Sequence, residues 1–129
     1  LRARMSAANR NRGHNAERNV VKWLKTQGYE DARTTRAALG HDGAHAPGDV
    51  IGPVGLVIEV KDVARTWWQD WCRQADEEAN GRPWVVVRRL RGVKDVGAWP
   101  CCYRTEDMLR LSRPVLTFAE FLAAFEGGS

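Results

Sequence analysis

The sequence predicts an α+β protein in which helices flank one mixed β-sheet. The first observation is size and composition, because 129 residues with 43% apolar and 28% charged are typical of one globular domain. The second is the order of local patterns, which runs helix, strands with a hairpin, helix, strand, strand, helix. The third is that no apolar run approaches the roughly 18–20 residues of a membrane-spanning helix, and none follows the N-terminal charges. We therefore expect a cytoplasmic protein without a signal peptide.

The first predicted element is a helix over residues 15–27. Ala16, Val20 and Leu24 recur at a spacing of four residues, which places them on one helix face. Gly28 follows the last of these turns and is a typical helix stop.

Two β-branched, apolar segments are predicted to form a hairpin. Residues 49–52 and 56–62 are the strands, and Pro53-Val54-Gly55 is the turn between them. A short strand over 29–35 and a Gly-rich loop over 36–48 are expected to precede the hairpin.

The length of the turn sets the register of this hairpin. A three-residue turn pairs Asp49 with Glu59 and Gly52 with Leu56, whereas a two-residue turn would place Asp49 opposite Ile58, on the wrong face. Because the turn-forming residues favour the longer turn, we expect the carboxyl groups of Asp49 and Glu59 to lie close together.

The second half of the chain is predicted from caps and from β-branched runs. Thr66 is expected to cap a helix that runs to Asn80 and ends at Gly81. Thr117 and Glu120 form a capping box that opens the last helix, which ends at residue 126. The two strands between these helices are predicted over 83–89 and 98–104.

The three cysteines are predicted to be reduced thiols. Cys72, Cys101 and Cys102 are an odd number, and the chain has no Cys-x-x-Cys pair that would indicate zinc. Cys101 and Cys102 are adjacent on a predicted strand and so point to opposite faces, which places them poorly for binding one metal ion together.

The positive charge of the chain is concentrated near its N-terminus. Residues 1–27 contain seven Lys and Arg but only one acid, Glu17, although the net charge of the whole chain is only +4. We expect residues 1–12 to be a basic arm, or an extension foreign to the domain, and 13–129 to be the single domain. Localised positive charge is typical of a protein that binds a polyanion, and a solvated tail without function is the alternative.

A charged triplet interrupts the hairpin strands and could carry chemistry. Glu59 and Lys61 are two residues apart and share a face of their strand, and the predicted register brings Asp49 beside them. Two carboxylates suit Mg²⁺ or Mn²⁺, which can polarise a phosphoryl oxygen and activate water. Lys61 could steady the attacking hydroxide or the charge of the transition state. The alternative is a surface salt bridge between Glu59 and Lys61.

These residues resemble the motif of the PD-(D/E)XK nuclease superfamily. The run Pro47-Gly48-Asp49 is followed after nine residues by Glu59-Val60-Lys61, with Gly48 as a departure because Pro directly precedes Asp in the family motif. Within the superfamily the chain most resembles the archaeal and phage Holliday-junction resolvases. The further matching segments are Gly13-His14-Asn15-Ala16-Glu17-Arg18, Gln74-Ala75-Asp76-Glu77 and Val85-Val86-Val87-Arg88-Arg89.

The resemblance implies a fold, a cofactor and roles for individual residues. The fold would be a restriction-endonuclease-like mixed sheet flanked by helices. Asp49, Glu59 and the carbonyl of Val60 would bind Mg²⁺, for which Mn²⁺ could substitute. Glu17 would lie near the metal, and Lys61 would assist the nucleophilic water. The protein would act in the cytoplasm, or in that of a host cell if the chain is phage-encoded.

Several other side chains are candidates for contact with DNA or with a second subunit. The segment with His41, Asp42 and His45 favours DNA contact over zinc, because a loop lacks the helical register of zinc motifs. Trp67 and Trp71, at a spacing of four, are expected to share a helix face at a subunit interface, with base stacking as the alternative. Candidates for phosphate or DNA contact are Arg10, Arg12, Arg18, Arg33, Arg36, Gln74, Arg88 and Arg89.

The function that the sequence favours is a metal-dependent endonuclease that cuts branched DNA as a homodimer and leaves 5′-phosphate and 3′-hydroxyl ends. One alternative is a nuclease of the same superfamily that acts on nicked, flapped or linear duplex DNA. The other is a catalytically silent DNA-binding module whose carboxylates form only structural pairs. No small-molecule cofactor and no membrane partner are expected.

Overall fold

The computed structural model describes residues 7–35, 49–103 and 116–127 and has the predicted α+β architecture. Helix α1 spans Ala7–Thr26, α2 spans Trp68–Ala79 and α3 spans Phe118–Gly127. The strands are β1 (Arg33–Thr34), β2 (Val50–Ile51), β3 (Val57–Lys61), β4 (Trp84–Arg88), β5 (Pro100–Tyr103) and β6 (Leu116–Thr117). Within these residues no helix combines the length and the apolar character needed to cross a bilayer.

The strands form one mixed sheet in the order β1-β2-β3-β4-β5-β6. Only β3 and β4 are parallel, because α2 crosses between them; every other neighbouring pair is antiparallel. In the β2–β3 hairpin Val50 pairs with Ile58 and Ile51 with Val57, which is the predicted register. The turn residues Pro53–Gly55 form one turn of 3₁₀ helix.

Both faces of the sheet are buried, each against its own helices. Helices α1 and α3 cover one face, where Val20, Ile58 and Phe118 belong to the larger core. Helix α2 covers the other face, where Trp71, Val57 and Trp84 belong to the smaller core. Alternating side chains of β3 therefore point to different cores, and Glu59 and Lys61 share the α2 face with Val57.

The helix boundaries differ from prediction at two N-termini. Helix α1 begins at Ala7, eight residues before the predicted start, so residues 7–12 continue the helix. The predicted cap at Thr66 is wrong, because Trp67 is the N-cap of α2 and makes no side-chain capping bond. The capping box of α3 is confirmed, since the Thr117 N–H donates to Glu120 Oε1 at 3.0 Å and the Glu120 N–H donates to Thr117 Oγ1 at 3.3 Å.

The prediction of three reduced thiols is wrong for two of them. Cys72 on α2 and Cys102 on β5 form a disulfide within the smaller core, because both point into the layer between α2 and the sheet. Cys101 points to the opposite face, as predicted, and is a buried free thiol. Burial, and then the charge of Glu120, raise the pKa of this thiol to about 12, so it stays protonated at neutral pH.

Candidate active site

One cavity at the C-terminal end of β3 collects the residues that were predicted for catalysis. It has a volume of about 600 Å³ and lies between the end of β3, the residue before β2 and the side of α1. Its lining includes Glu17, Asp49, Glu59, Val60 and Lys61. Residues from three separate parts of the chain, namely α1, the residue before β2 and the end of β3, thus meet in one cavity.

Asp49 is fixed in this cavity by contacts to the neighbouring strands. Its Oδ2 accepts a hydrogen bond of 2.8 Å from the Val60 N–H, and its own N–H donates to the Ile58 carbonyl at 2.9 Å. Its carbonyl accepts from the Thr35 N–H at 3.0 Å. Backbone bonds on both sides therefore hold the carboxylate in place before any ligand arrives.

The backbone of Val60 is directed towards the same spot. The N–H and C=O of one strand residue point to the same side of the strand, and the Val60 N–H points at Asp49. The backbone groups of the next residue, Lys61, point to the opposite side of the strand, because the Lys61 carbonyl accepts a hydrogen bond from the Arg89 N–H on the β4 side. The Val60 carbonyl is therefore directed to the Asp49 side of β3, as a third oxygen beside the two carboxyl groups.

The carboxyl groups of Asp49 and Glu59 are hydrogen-bonded to each other, and the pKa of each is raised. Burial, and then the charge of Asp49, raise the pKa of Glu59 from 4.5 to about 8, and the protonated Glu59 carboxyl donates a hydrogen bond to Asp49. Burial also raises the pKa of Asp49, although the Val60 N–H opposes this shift. Two like charges in a half-buried site are unfavourable without a cation, so the pair stays partly protonated.

Lys61 lines the same cavity and is a cation that acts on both carboxyl groups. Its charge lowers the pKa of both carboxyl groups, which places the ammonium close to them. The Nζ atom also lies 5.8 Å from the centre of the Trp71 ring, a cation–π distance. Trp71 belongs to α2, so the helix that covers this face of the sheet helps to position the lysine.

Glu78 is a further acid near the site, and the sequence reasoning missed it. Its charge raises the pKa of both Asp49 and Glu59. Gln74, a predicted phosphate ligand, instead donates from Nε2 to Glu78 Oε1 at 3.1 Å. A sequence pattern could have indicated Glu78, because it lies seven residues after Trp71 and so borders the buried face of α2.

The segment after β3 forms one wall of the cavity, and two predicted DNA ligands hold it there. Arg88 donates to the carbonyls of Val63 and Ala64, at 3.4 and 3.3 Å. Arg89 pairs with the buried Asp62 carboxylate at 3.0 Å, and Asp62 also lies 3.6 Å from Arg91. The guanidinium groups of Arg88 and Arg89 therefore contact the protein itself, where the sequence predicted DNA.

The remaining predicted DNA ligands fall into three groups. Arg12 lines the cavity, next to Glu17 on the same helix. Arg18 and Arg33 are exposed and contact nearby groups of their own segments, Asn15 Oδ1 and the Asp31 carbonyl. The side chain of Arg10 lies outside the described part of the structure, as do Arg36, His41, Asp42 and His45.

The arrangement of Trp67, Trp68 and Trp71 differs from the one predicted from sequence. Trp67 and Trp71 do not share a helix face, because Trp67 precedes the helix with φ −129° and ψ 57°. Trp71 is buried in the smaller core and contacts Trp68 edge to face, at 5.3 Å between ring centres. Trp67 is the exposed member, with 51% of its surface accessible.

Among the described residues, no group of three or more His, Cys, Asp or Glu side chains is arranged to hold a metal ion. The oxygen donors at this site are instead the two carboxyl groups and a main-chain carbonyl. Comparison with protein-family models, with curated proteins and with solved structures gives no match to this chain.

Proposed function

We propose that this protein is a divalent-metal-dependent DNA endonuclease of the PD-(D/E)XK type, with a restriction-endonuclease-like fold. The observation that carries the proposal is the meeting of Asp49, Glu59 and Lys61 in one cavity, in the register that the motif requires. A surface salt bridge, the alternative drawn from sequence, needs only Glu59 and Lys61. It gives no reason for Asp49 to be fixed against Val60 beside them.

The donor set suits Mg²⁺, with Mn²⁺ as a substitute. Carboxylate and carbonyl oxygens are the ligands these hard cations prefer, and Asp49, Glu59 and the Val60 carbonyl would supply them. The raised pKa of Glu59, about 8, fits a pair that ionises fully only with a cation between its members. When bound, such an ion polarises a phosphoryl oxygen and lowers the pKa of water.

The protein's own side chains have separate tasks in this proposal. Lys61 donates a hydrogen bond to the attacking water or to the charge that develops on the phosphate. Glu17, which lines the same cavity from α1, would orient solvent near a bound cation. Arg12 is an exposed cation that lines the cavity and suits contact with a neighbouring phosphate.

Two finer statements of the proposal rest on the resemblance to Holliday-junction resolvases. The substrate would be branched DNA, and the enzyme would be a homodimer whose two-fold symmetry places two sites on two strands. The exposed Trp67 and Val63, on the segment that follows β3, are available for a second subunit or for a DNA base.

The test compares cleavage of a synthetic four-way junction with cleavage of linear duplex, in Mg²⁺ and in EDTA. We expect symmetric, Mg²⁺-dependent nicks in the junction alone. Asp49→Asn and Glu59→Gln should abolish cleavage and retain binding, because both variants keep the shape of the site. Glu77→Gln, an exposed position on α2, is the matched control and should cut as the unaltered protein does.

Other results would indicate a different function or refute the assigned residues. Cutting of linear duplex as well would indicate a PD-(D/E)XK nuclease of broader substrate range. Binding without cleavage under any metal would indicate a silent DNA-binding module, and cleavage retained in both site variants would refute the assigned residues.

A further inference from the structure

A second cavity lies beside the first, on the α1 side of the sheet. It has a volume of about 520 Å³ and lies between the C-terminal half of α1 and the segment that joins β4 to β5. Lys22 and Asn19 line it from the helix, and Lys94 lines it from the segment. None of the three is among the individual side chains that the sequence predicted to contact DNA.

The lining of this second cavity is cationic. Lys22 and Lys94 are exposed, and within the described residues neither forms an ion pair. Asp95 is the one carboxylate of the lining, and it is engaged with the backbone, where it accepts from the Gly97 N–H at 3.0 Å. Two lysines and an amide that line one concave surface are typical ligands for a phosphate group.

The apolar part of the lining is rigid. The Trp23 ring is half-buried and packs on Phe118, with 5.0 Å between the ring centres. Gly97 lies against the same ring so closely that a Cβ there would stand 2.9 Å from its Cζ2 atom. The Trp99 indole N–H donates to the Val93 carbonyl at 2.8 Å, which holds the opposite wall. The cavity is thus shaped by packed residues.

Two structural features join the second cavity to the first. Arg12 in the first cavity and Asn19 and Trp23 in the second lie on one stripe of α1, at spacings of seven and four residues. Asp62 in the wall of the first cavity pairs with Arg89, which lines the second. A single extended ligand that enters one cavity can therefore reach the other along α1.

We propose that the second cavity binds a backbone phosphate of the DNA strand that is cut in the first, with Lys22 and Lys94 as its cationic ligands. This inference rests on the proposed nuclease function. On α1, the proposed ligand Lys22 lies five residues after Glu17 and ten residues after Arg12, which line the first cavity, or about 8 and 15 Å along the helix axis. At roughly 3.4 Å of rise per nucleotide along a duplex, these distances correspond to about two to four nucleotides. The bound phosphate therefore lies two to four nucleotides from the cleaved bond.

The test measures how variants of the protein bind DNA in which single phosphates have been neutralised. In the substrate that the unaltered protein cuts, each phosphate near the mapped cut is replaced singly by a neutral methylphosphonate. Binding is then measured in EDTA. The double variant Lys22→Gln, Lys94→Gln is compared with the unaltered protein and with Lys25→Gln, which changes an exposed lysine of the same helix outside the cavity.

We expect one methylphosphonate, two to four nucleotides from the cut, to weaken binding by the unaltered protein and by Lys25→Gln about three- to tenfold. The double variant should not respond to that replacement, and its log–log salt dependence should be shallower by about one. If the protein cuts DNA but no methylphosphonate weakens binding by the unaltered protein more than binding by the double variant, the second site is refuted. The nuclease proposal then remains intact. Failure of the unaltered protein to bind DNA would overturn both.

Discussion

At the scale of single residues, the charge of the site is set by how Asp49 and Glu59 are buried together. Asp49 is bound by the Val60 N–H, which favours its ionised form, whereas burial and then the charge of Asp49 raise the pKa of Glu59. The nearby negative charge of Glu78 raises the pKa of both. The half-buried pair is therefore poised to take up a cation and to release a proton when it does so.

Glu59→Gln should change how stability depends on pH in the metal-free protein. The folded-state pKa of Glu59, about 8, lies above its ordinary value of 4.5, so the stabilisation from its proton is complete below about 4.5. It is lost progressively as the pH rises from about 4.5 through about 8, a loss on the order of 5 kcal/mol relative to the variant. Urea unfolding in EDTA between pH 5 and 9 measures the free energy of unfolding of both proteins. The prediction is contradicted if that free energy depends on pH in the same way for the unaltered protein and for the variant. At pH 8.5, Mg²⁺ should stabilise only the unaltered protein.

At the scale of elements, the segment after β3 depends on its parallel neighbour β4. Lys61 pairs with Arg88 in the register of the two strands, so the residues that follow each strand emerge side by side. Arg89 can then reach the Asp62 carboxylate, whose side chain is only 1% exposed. The wall of the first cavity is thus built from an ion pair between residues far apart in sequence.

Arg89→Ala should destabilise the fold by about 3 kcal/mol, because within the described part of the chain it leaves the buried Asp62 with the more distant Arg91 as its remaining ion-pair partner. The matched control is Arg73→Ala, which removes an ion pair with Asp70 of similar length, 3.2 Å, whose side chains are 62% and 64% exposed. That variant should cost less than about 1 kcal/mol. Chemical denaturation of both variants compares them, and equal losses would contradict the structural role of Arg89.

The hairpin and the segment after it show which features the sequence predicts and which it does not. The hairpin register was predictable, because turn length and strand alternation are local and together fix which side chains oppose each other. The capping box of α3 was predictable for the same reason. The roles of Arg88 and Arg89 were not, because their partners lie 24 to 27 residues away and become neighbours only through the β3–β4 pairing. Glu78 lies at a helix position that the spacing from Trp71 indicates, but its influence on Asp49 and Glu59, which lie on or beside other strands, follows only from the folded arrangement.

At the scale of the whole molecule, the two cores on either face of the sheet are covered by different helices. Among the described residues, the larger core is closed by α1 and α3, whereas α2 is the helix that closes the smaller one. Helix α2 also carries Trp71, which contacts Lys61, so the smaller core and the site depend on the same helix. The Cys72–Cys102 disulfide ties α2 to β5 across this layer.

Reduction of the Cys72–Cys102 disulfide should therefore weaken the whole fold. The bond links residues 30 positions apart in sequence. Opening a loop of this length frees conformational entropy in the unfolded chain worth on the order of 3–4 kcal/mol at 25 °C. Urea unfolding with and without a phosphine reductant measures the loss. Cys72→Ala is the control, because it cannot form the bond and its unfolding should not respond to reductant. Unfolding of the unaltered protein at the same urea concentration in both conditions would show that the disulfide does not support the fold.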